Sequence, residues 1–169
     1  MSLLSPPVAE WSEMAEAEIS ALMKTICDLI AVHHIGSTSV PGLPSKPIVD
    51  LMPEFSSDEA RLAARIGLEE LGYEWMGEFG LSGRSYSKKI DPFSGRRLFH
   101  MHAYTTGHPG LVRHLAFRDA LRDNASLRAA YTSVKASCAA RFPEGGENYQ
   151  ACKSEWIDKA EKRALDRYV

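Results

Sequence analysis

The chain has 169 residues, 44% of them hydrophobic and 25% charged, with a formal net charge of -2 at pH 7. These are the proportions of one soluble globular domain, and the balanced charge gives no general pull toward nucleic acid or an anionic membrane. No apolar run approaches the ~20 residues that cross a bilayer, and the N-terminus lacks a basic segment followed by an apolar core, so a cytoplasmic location is the default expectation.

Residues 8–29 are expected to form the first helix, because Trp11, Ala15, Ile19, Leu22, Ile26 and Leu29 recur three or four apart. Residues 31–35 and 47–52 read as strands on either side of a loop rich in Ser, Thr, Pro and Gly. Ser57 or Asp58 can cap a second helix running to Leu71, with Gly72 as its natural stop. Residues 73–79 and 84–89 read as further strands. Asp91-Pro92-Phe93-Ser94-Gly95 is a turn, and residues 97–104 are the expected hairpin partner of 84–89. Three helices follow, over residues 109–122, 126–141 and 146–167, with Pro109 well placed as a first helical residue. Strands in front and helices behind give an α+β class. The chain reads as a single domain over residues 1–169, with a mixed part of about 1–106 and a helical part of about 107–169. Cys27, Cys138 and Cys152 all fall in expected helices and form no CxxC pair. Their odd number argues against a disulfide framework, and they read as small buried apolar residues.

Chemistry concentrates at four places. Gly36-Ser37 closes the first strand, with Thr38 and Ser39 beside it and Lys46 before the second strand. Such a turn presents backbone N–H groups and hydroxyls to an anion, although an ordinary polar turn has the same composition. Asp50 interrupts the apolar run Ile48-Val49-Asp50-Leu51-Met52. A carboxylate there needs a cation, either an internal Lys or Arg or a bound metal. His100 and His102 are two apart, so a strand turns both imidazoles to one face. They can hold a metal, move a proton or grip a phosphate, or they can be scattered surface residues. Arg84, Tyr86 and Lys88 alternate in the same way, as an anion site or as a solvated basic face. Finally, His114, Arg118 and Arg122 fall within the arc of Leu111, Leu115 and Leu121. Guanidinium groups aimed inward must meet carboxylates, with Asp50 and Glu54 as the internal choices, or a ligand.

These residues make the chain recognisable. His34-Ile35-Gly36-Ser37-Thr38-Ser39-Val40-Pro41-Gly42-Leu43, followed by Lys46-Pro47-Ile48-Val49-Asp50, closely resembles the signature of the GrpB-like family, also called UPF0157. The resemblance continues through Arg84, Lys88 and His100-Met101-His102. It extends to residues 115–122, Tyr131, Lys135, Tyr149 and Lys153, and so covers most of the chain. The family is placed in the nucleotidyltransferase superfamily, whose fold resembles the core of polymerase β, and related bacterial domains occur fused to dephospho-CoA kinase. The superfamily pairs a Gly-Ser turn with two carboxylates separated by one residue. Gly36, Ser37 and Asp50 match that pattern, whereas Met52 occupies the second acid's position. Glu54 lies beyond Pro53, about 13 Å from Asp50 on an extended strand.

The resemblance implies a nucleotidyltransferase-like mixed sheet flanked by helices, with a C-terminal helical cap. It implies a ligand that is a small nucleotide or phosphorylated molecule, with a divalent metal (Mg, Mn or Zn). In that reading Gly36, Ser37, Thr38, Lys46, Arg84, Lys88 and Arg118 bind phosphate or nucleotide. Asp50, His100 and His102 serve as metal ligands and catalytic groups, a set that favours a borderline transition metal over magnesium. The alternative is a non-catalytic nucleotide- or phosphometabolite-binding module that has lost a metal carboxylate at Met52.

Overall fold

A five-stranded sheet organises the computed structural model, which describes residues 3–167. Its strands are β1 (Leu29–Ile35), β2 (Val49–Phe55), β3 (Tyr73–Trp75), β4 (Ser85–Ile90) and β5 (Arg97–Thr105), in the order β1-β2-β5-β4-β3. β2 and β5 run parallel, and the other neighbours are antiparallel. The helices are α1 (Glu10–Thr25), α2 (Asp58–Ala63), α3 (Arg65–Glu70), α4 (Pro109–Asp123), α5 (Ala125–Arg141) and α6 (Gly146–Leu165). None is long and apolar enough to cross a membrane.

Alternation along the strands sorts their side chains to two faces. Val49, Leu51, Phe55, Phe99, Met101 and Ala103 meet Trp11 and Leu22 of α1 and Leu68 of α3 in the main core. Each large apolar side chain buried there contributes roughly 1.5–3 kcal/mol. The other face carries Asp50, Met52, His100, His102 and Tyr104. Part of it is closed by α4, where Ile35, Met52 and Tyr104 pack with Leu111. A third cluster joins Val40 and Leu43, in the loop after β1, to Leu121 and Tyr131, with Trp156 and Ile157 against them. The helical part therefore sits on the loop that precedes Asp50.

The α+β class and the 84–104 hairpin are as the pattern predicts, with Tyr86 opposite His102 and Lys88 opposite His100. Several boundaries differ. The first helix stops at Thr25 because Asp28 turns the chain at a positive φ of 60°, and Leu29 enters the sheet. The expected helix 57–71 is two short helices meeting at Ala64, although Ser57 caps the first by accepting from Ala60 N. β3 ends at Trp75, because the following loop has glycines at positive φ at 77, 80 and 83. β2 runs through Pro53, which sits opposite Val32, as far as Phe55.

The cysteine reading is corrected. Cys138 on α5 and Cys152 on α6 form a disulfide, with Cα atoms 5.9 Å apart, and Cys27 is free and exposed in the turn after α1. An odd count requires one unpaired thiol and says nothing about the other two. The turn at 142–145 folds α6 back beside α5 and brings positions 138 and 152 together. A bond closing a 14-residue separation is worth about 3 kcal/mol in the chain-entropy account. Urea unfolding followed with and without a dithiol reductant should show a loss of that order. An unchanged midpoint would mean that helix packing alone sets the stability of this pair.

Candidate functional site

The site begins where β1 ends. Gly36 turns at φ 70°, and a Cβ added there would lie 2.5 Å from Asp50 Oδ2. Glycine is therefore required twice, for its backbone conformation and for the close approach of loop to acid. Ser37–Ser39 form one tight helical turn, fastened by Ser39 Oγ donating to Gly36 O at 2.7 Å. Thr38 Oγ1 lies 2.9 Å from His34 Nε2. Burial and the charge of Arg122 hold His34 down to about 4, so it is neutral at ordinary pH.

Asp50 lies opposite Ile35 on β1 and His100 on β5. Its Oδ1 is 3.3 Å from His100 Nδ1 and 3.5 Å from His102 Nε2. Burial opposes ionisation of Asp50, yet hydrogen bonds from the two imidazoles outweigh it and hold the carboxyl well below the usual carboxylate range. The side chains keep 26, 20 and 16% exposure respectively, so the cluster is open to a ligand. Among the described residues, Asp50, His100 and His102 form the His/Asp group whose ligand atoms all lie within 4.8 Å of one another. Separations near 3.3 Å are those between neighbouring ligands of an ion bonded at about 2.0–2.1 Å. The three residues therefore fit a divalent cation, and the nitrogen-rich set suits zinc or manganese better than magnesium.

The outer nitrogens have partners too. His100 Nε2 is 3.4 Å from Arg97 Nη1, and His102 Nδ1 is 3.5 Å from Arg84 Nη1. Guanidinium groups only donate. With no ion present, this arrangement puts the ring protons on the inner nitrogens, toward Asp50. An ion needs those nitrogens bare. The same triad can thus pass protons or, in the other tautomer, hold a metal.

Among the described residues, no second acid joins Asp50. Met52 is fully buried between β1 and α4. Glu54 is turned to His33 Nε2 at 2.8 Å and accepts from Thr106 Oγ1 at 2.8 Å. Position 52 is thus part of an apolar core.

Two cavities meet at Asp50. The first, about 100 Å³, is lined by Ser37, Thr38 and Lys46 from the loops and by Lys135, Tyr149 and Lys153 from α5 and α6. Lys135 is 2% exposed, and its Nζ lies 3.4 Å from Ser45 Oγ. The Lys46 and Lys153 ammonium groups sit over the Tyr149 ring, 4.5 and 4.2 Å from its centroid. Among the described residues, no carboxylate forms an ion pair with any of the three. Burial, then the neighbouring ammonium groups, lower Lys135 to about 7 and Lys153 to about 8, and burial with Arg97 lowers Lys46. The Tyr149 hydroxyl is buried with no hydrogen-bond partner among the described residues, and burial pushes it up to about 12. The second cavity, about 280 Å³, shares Ser37, Asp50, Gln150 and Lys153 with the first and extends between α4, α5 and α6.

Of the sequence-predicted residues, the structure brings Gly36, Ser37, Thr38, Lys46, Asp50 and His100 to the first cavity or its rim, with His102 beside Asp50. Arg84, Lys88 and Arg118 have internal partners, and of the three Arg118 also lines the second cavity. Arg84 is buried over Tyr86 and donates to the carbonyls of Glu78 and Phe79. Lys88 pairs with Glu74 at 3.1 Å. Arg118 donates to Asp119 Oδ1 at 2.7 Å and to His34 O at 3.2 Å, and Arg122 donates to Ser39 O at 3.0 Å. The inward cationic ridge of α4 therefore braces the end of β1 and its loop, and neither Asp50 nor Glu54 is its partner. Lys135, Lys153 and Tyr149 had no assigned role in the sequence. Their signal was the repeated spacing Tyr131/Lys135 and Tyr149/Lys153, which places each pair on one helix face.

A family model described as GrpB protein matches residues 3–163. UPF0157 protein YqkA of Bacillus subtilis is 37% identical over 156 residues, covering 92% of this chain and 45% of that protein. The chain therefore spans less than half the length of this curated relative. The crystal structure of conserved protein GrpB from Enterococcus faecalis is 38% identical, with a TM-score of 0.89 and 98% of both chains covered. A Cid1 poly(U) polymerase bound to MgATP is 13% identical, with a TM-score of 0.57 over 87% of this chain and 50% of that one, a likeness of fold. The match along nearly the whole sequence, together with this sheet and its flanking helices, means that the chain belongs to the GrpB family and has the nucleotidyltransferase fold.

Proposed function

We propose that this protein carries out metal-dependent nucleotidyl or phosphoryl transfer on a small nucleotide or phosphorylated ligand. The observation that supports this most is a set of three screened ammonium groups, with no carboxylate paired to them among the described residues, lying against the Asp50–His100–His102 cluster. Asp50 is the negative charge nearby and raises Lys135 and Lys153 against burial, but it pairs with none of the three, and a phosphate group supplies the partner that screened cations need. In this reading Gly36, Ser37 and Thr38 offer N–H groups and hydroxyls to phosphate. Lys46, Lys135 and Lys153 neutralise its charge, and Tyr149 donates its orphaned hydroxyl. Arg118 lines the second cavity, and Arg84 and Lys88, outside both linings, add positive potential. Asp50, His100 and His102 hold the cation, which when bound acts as a Lewis acid toward a phosphoryl oxygen. Without the cation, the other tautomer leaves the two imidazoles placed to take a proton from a hydroxyl and release it along Asp50, so proton transfer and cation binding are alternative uses of the triad.

Met52 favours a second reading, a binding module that kept the cleft and lost turnover, because its position is packed too tightly for a metal-binding carboxylate. Metal analysis of protein purified without chelator, followed by thermal shift with nucleoside triphosphates with and without Mn²⁺, tests the shared site. Ligand at 100 times its dissociation constant should stabilise the fold by about 2.7 kcal/mol. Pyrophosphate release over a panel of acceptors then separates the two readings. Stabilisation without release supports the module, and no stabilisation by any nucleotide contradicts both.

A further inference from the structure

The second cavity differs from the lysine pocket in character. One part of its lining is apolar, with the rings of Phe117 and Tyr131 beside Ile157, while Arg118 and Lys153 are cationic members of the same lining. Tyr131 meets Phe117 edge-on at 5.7 Å and stacks on Trp156 at 5.0 Å, so this wall is held from behind. The lining also contains Glu161 of α6, a carboxylate only 7% exposed. Arg113 Nη1 donates to Glu161 Oε1 at 2.6 Å, which fixes the side chain, and Oε2 has no hydrogen-bond partner among the described residues. A screened acceptor with an open valence beside an apolar, aromatic wall suits a planar ring that bears N–H donors. A ring edge bearing a carbonyl at the same place would set two acceptors against each other, at the cost of an unmade hydrogen bond. The cavity's 280 Å³ lies near the lower end of small-ligand sites, about 300–1,000 Å³, a size for one nucleoside. It meets the lysine pocket at Asp50, which sets a ring on one side and anionic groups on the other.

We infer that this cavity holds the base of the nucleotide and that Glu161 is a specificity residue, selecting bases with an exocyclic amino group over those with a carbonyl in its place. The inference rests on the lysine pocket being the phosphate site. Adenine against hypoxanthine and cytosine against uracil are the matched pairs, each differing by amino for carbonyl.

Calorimetric titration of the whole chain with ATP, ITP, CTP and UTP in the presence of Mn²⁺ tests this, with tripolyphosphate as a probe that lacks a base. ATP or CTP should bind at least tenfold more tightly than its carbonyl partner, and more tightly than tripolyphosphate. Glu161→Gln keeps the size and an oxygen for Arg113 while placing a donor in the site. It should erase or invert the preference and leave tripolyphosphate affinity within twofold. The wild-type comparison needs no variant, so the test stands even where Glu161→Gln fails to fold. Equal affinities within both pairs, or nucleotides binding no better than tripolyphosphate, overturn the base site and leave the phosphate site intact. Absence of binding by tripolyphosphate as well overturns both.

Discussion

Asp50→Asn is expected to abolish the metal-dependent part of ligand stabilisation while leaving the fold in place. The amide has the size of the carboxylate, so the tight apposition to Gly36 survives. What is lost is the negative charge that a hard or borderline divalent ion requires. At ligand concentrations 100 times the dissociation constant, about 2.7 kcal/mol of stabilisation should vanish, together with any turnover. A chelator should have the same effect on the wild type and none on the variant. The charge also leaves a mark without ligand. The Asp50 carboxyl is held well below the usual range by the two imidazoles, against burial. Its contribution to stability is therefore present above the ordinary carboxylate value near 3.9 and is lost as pH falls through the depressed native value. The variant should lack that share of the acid sensitivity. Mn²⁺-dependent stabilisation of Asp50→Asn equal to that of the wild type would remove Asp50 from the metal site.

The heart of the site was legible because it is built on strands. An acid inside an apolar run and two histidines two apart are period-two signals, and period two fixes the face without knowledge of the neighbours. The parallel pairing of β2 with β5 then sets Asp50 opposite His100. The 84–104 hairpin was readable for the same reason, from its turn and alternation. Residues whose meaning depends on helix-to-helix packing were harder. Arg118 sits inside the leucine arc as its spacing predicts, yet its partners are Asp119 and a backbone carbonyl that only the folded loop presents. Cys138 and Cys152 lie on separate helices, and nothing local in either one announces the other. Lys135 and Lys153 look like solvated helix residues until α5 and α6 fold over the loop after β1. Met52 was visible as a missing acid, but its burial against α4 explains why no acid fits there.

The lysine pocket should give the chain an anion affinity that falls steeply near neutral pH. Burial and mutual repulsion lower Lys135 to about 7 and Lys153 to about 8, whereas an exposed lysine keeps its proton to about 10.4. Anions bind the ammonium form. Tripolyphosphate should therefore bind tightly below neutrality, weaken as pH rises through the two values, and take up protons when it binds between them. Calorimetry in two buffers of different ionisation heat measures that uptake directly. Stability without ligand should move the other way. Between the native values and about 10.4 the unfolded chain holds more protons than the folded one, so unfolding becomes harder as pH rises. Lys135→Met with Lys153→Met keeps an unbranched side chain one atom shorter at each position and removes both charges. The double variant should lose at least 100-fold in tripolyphosphate affinity, corresponding to about 2.7 kcal/mol. It should also lose the pH dependence and gain ligand-free stability on the acid side, where two screened charges no longer oppose folding. An affinity that stays flat across about pH 6–9, with no proton uptake, would show that these ammonium groups do not face the anion.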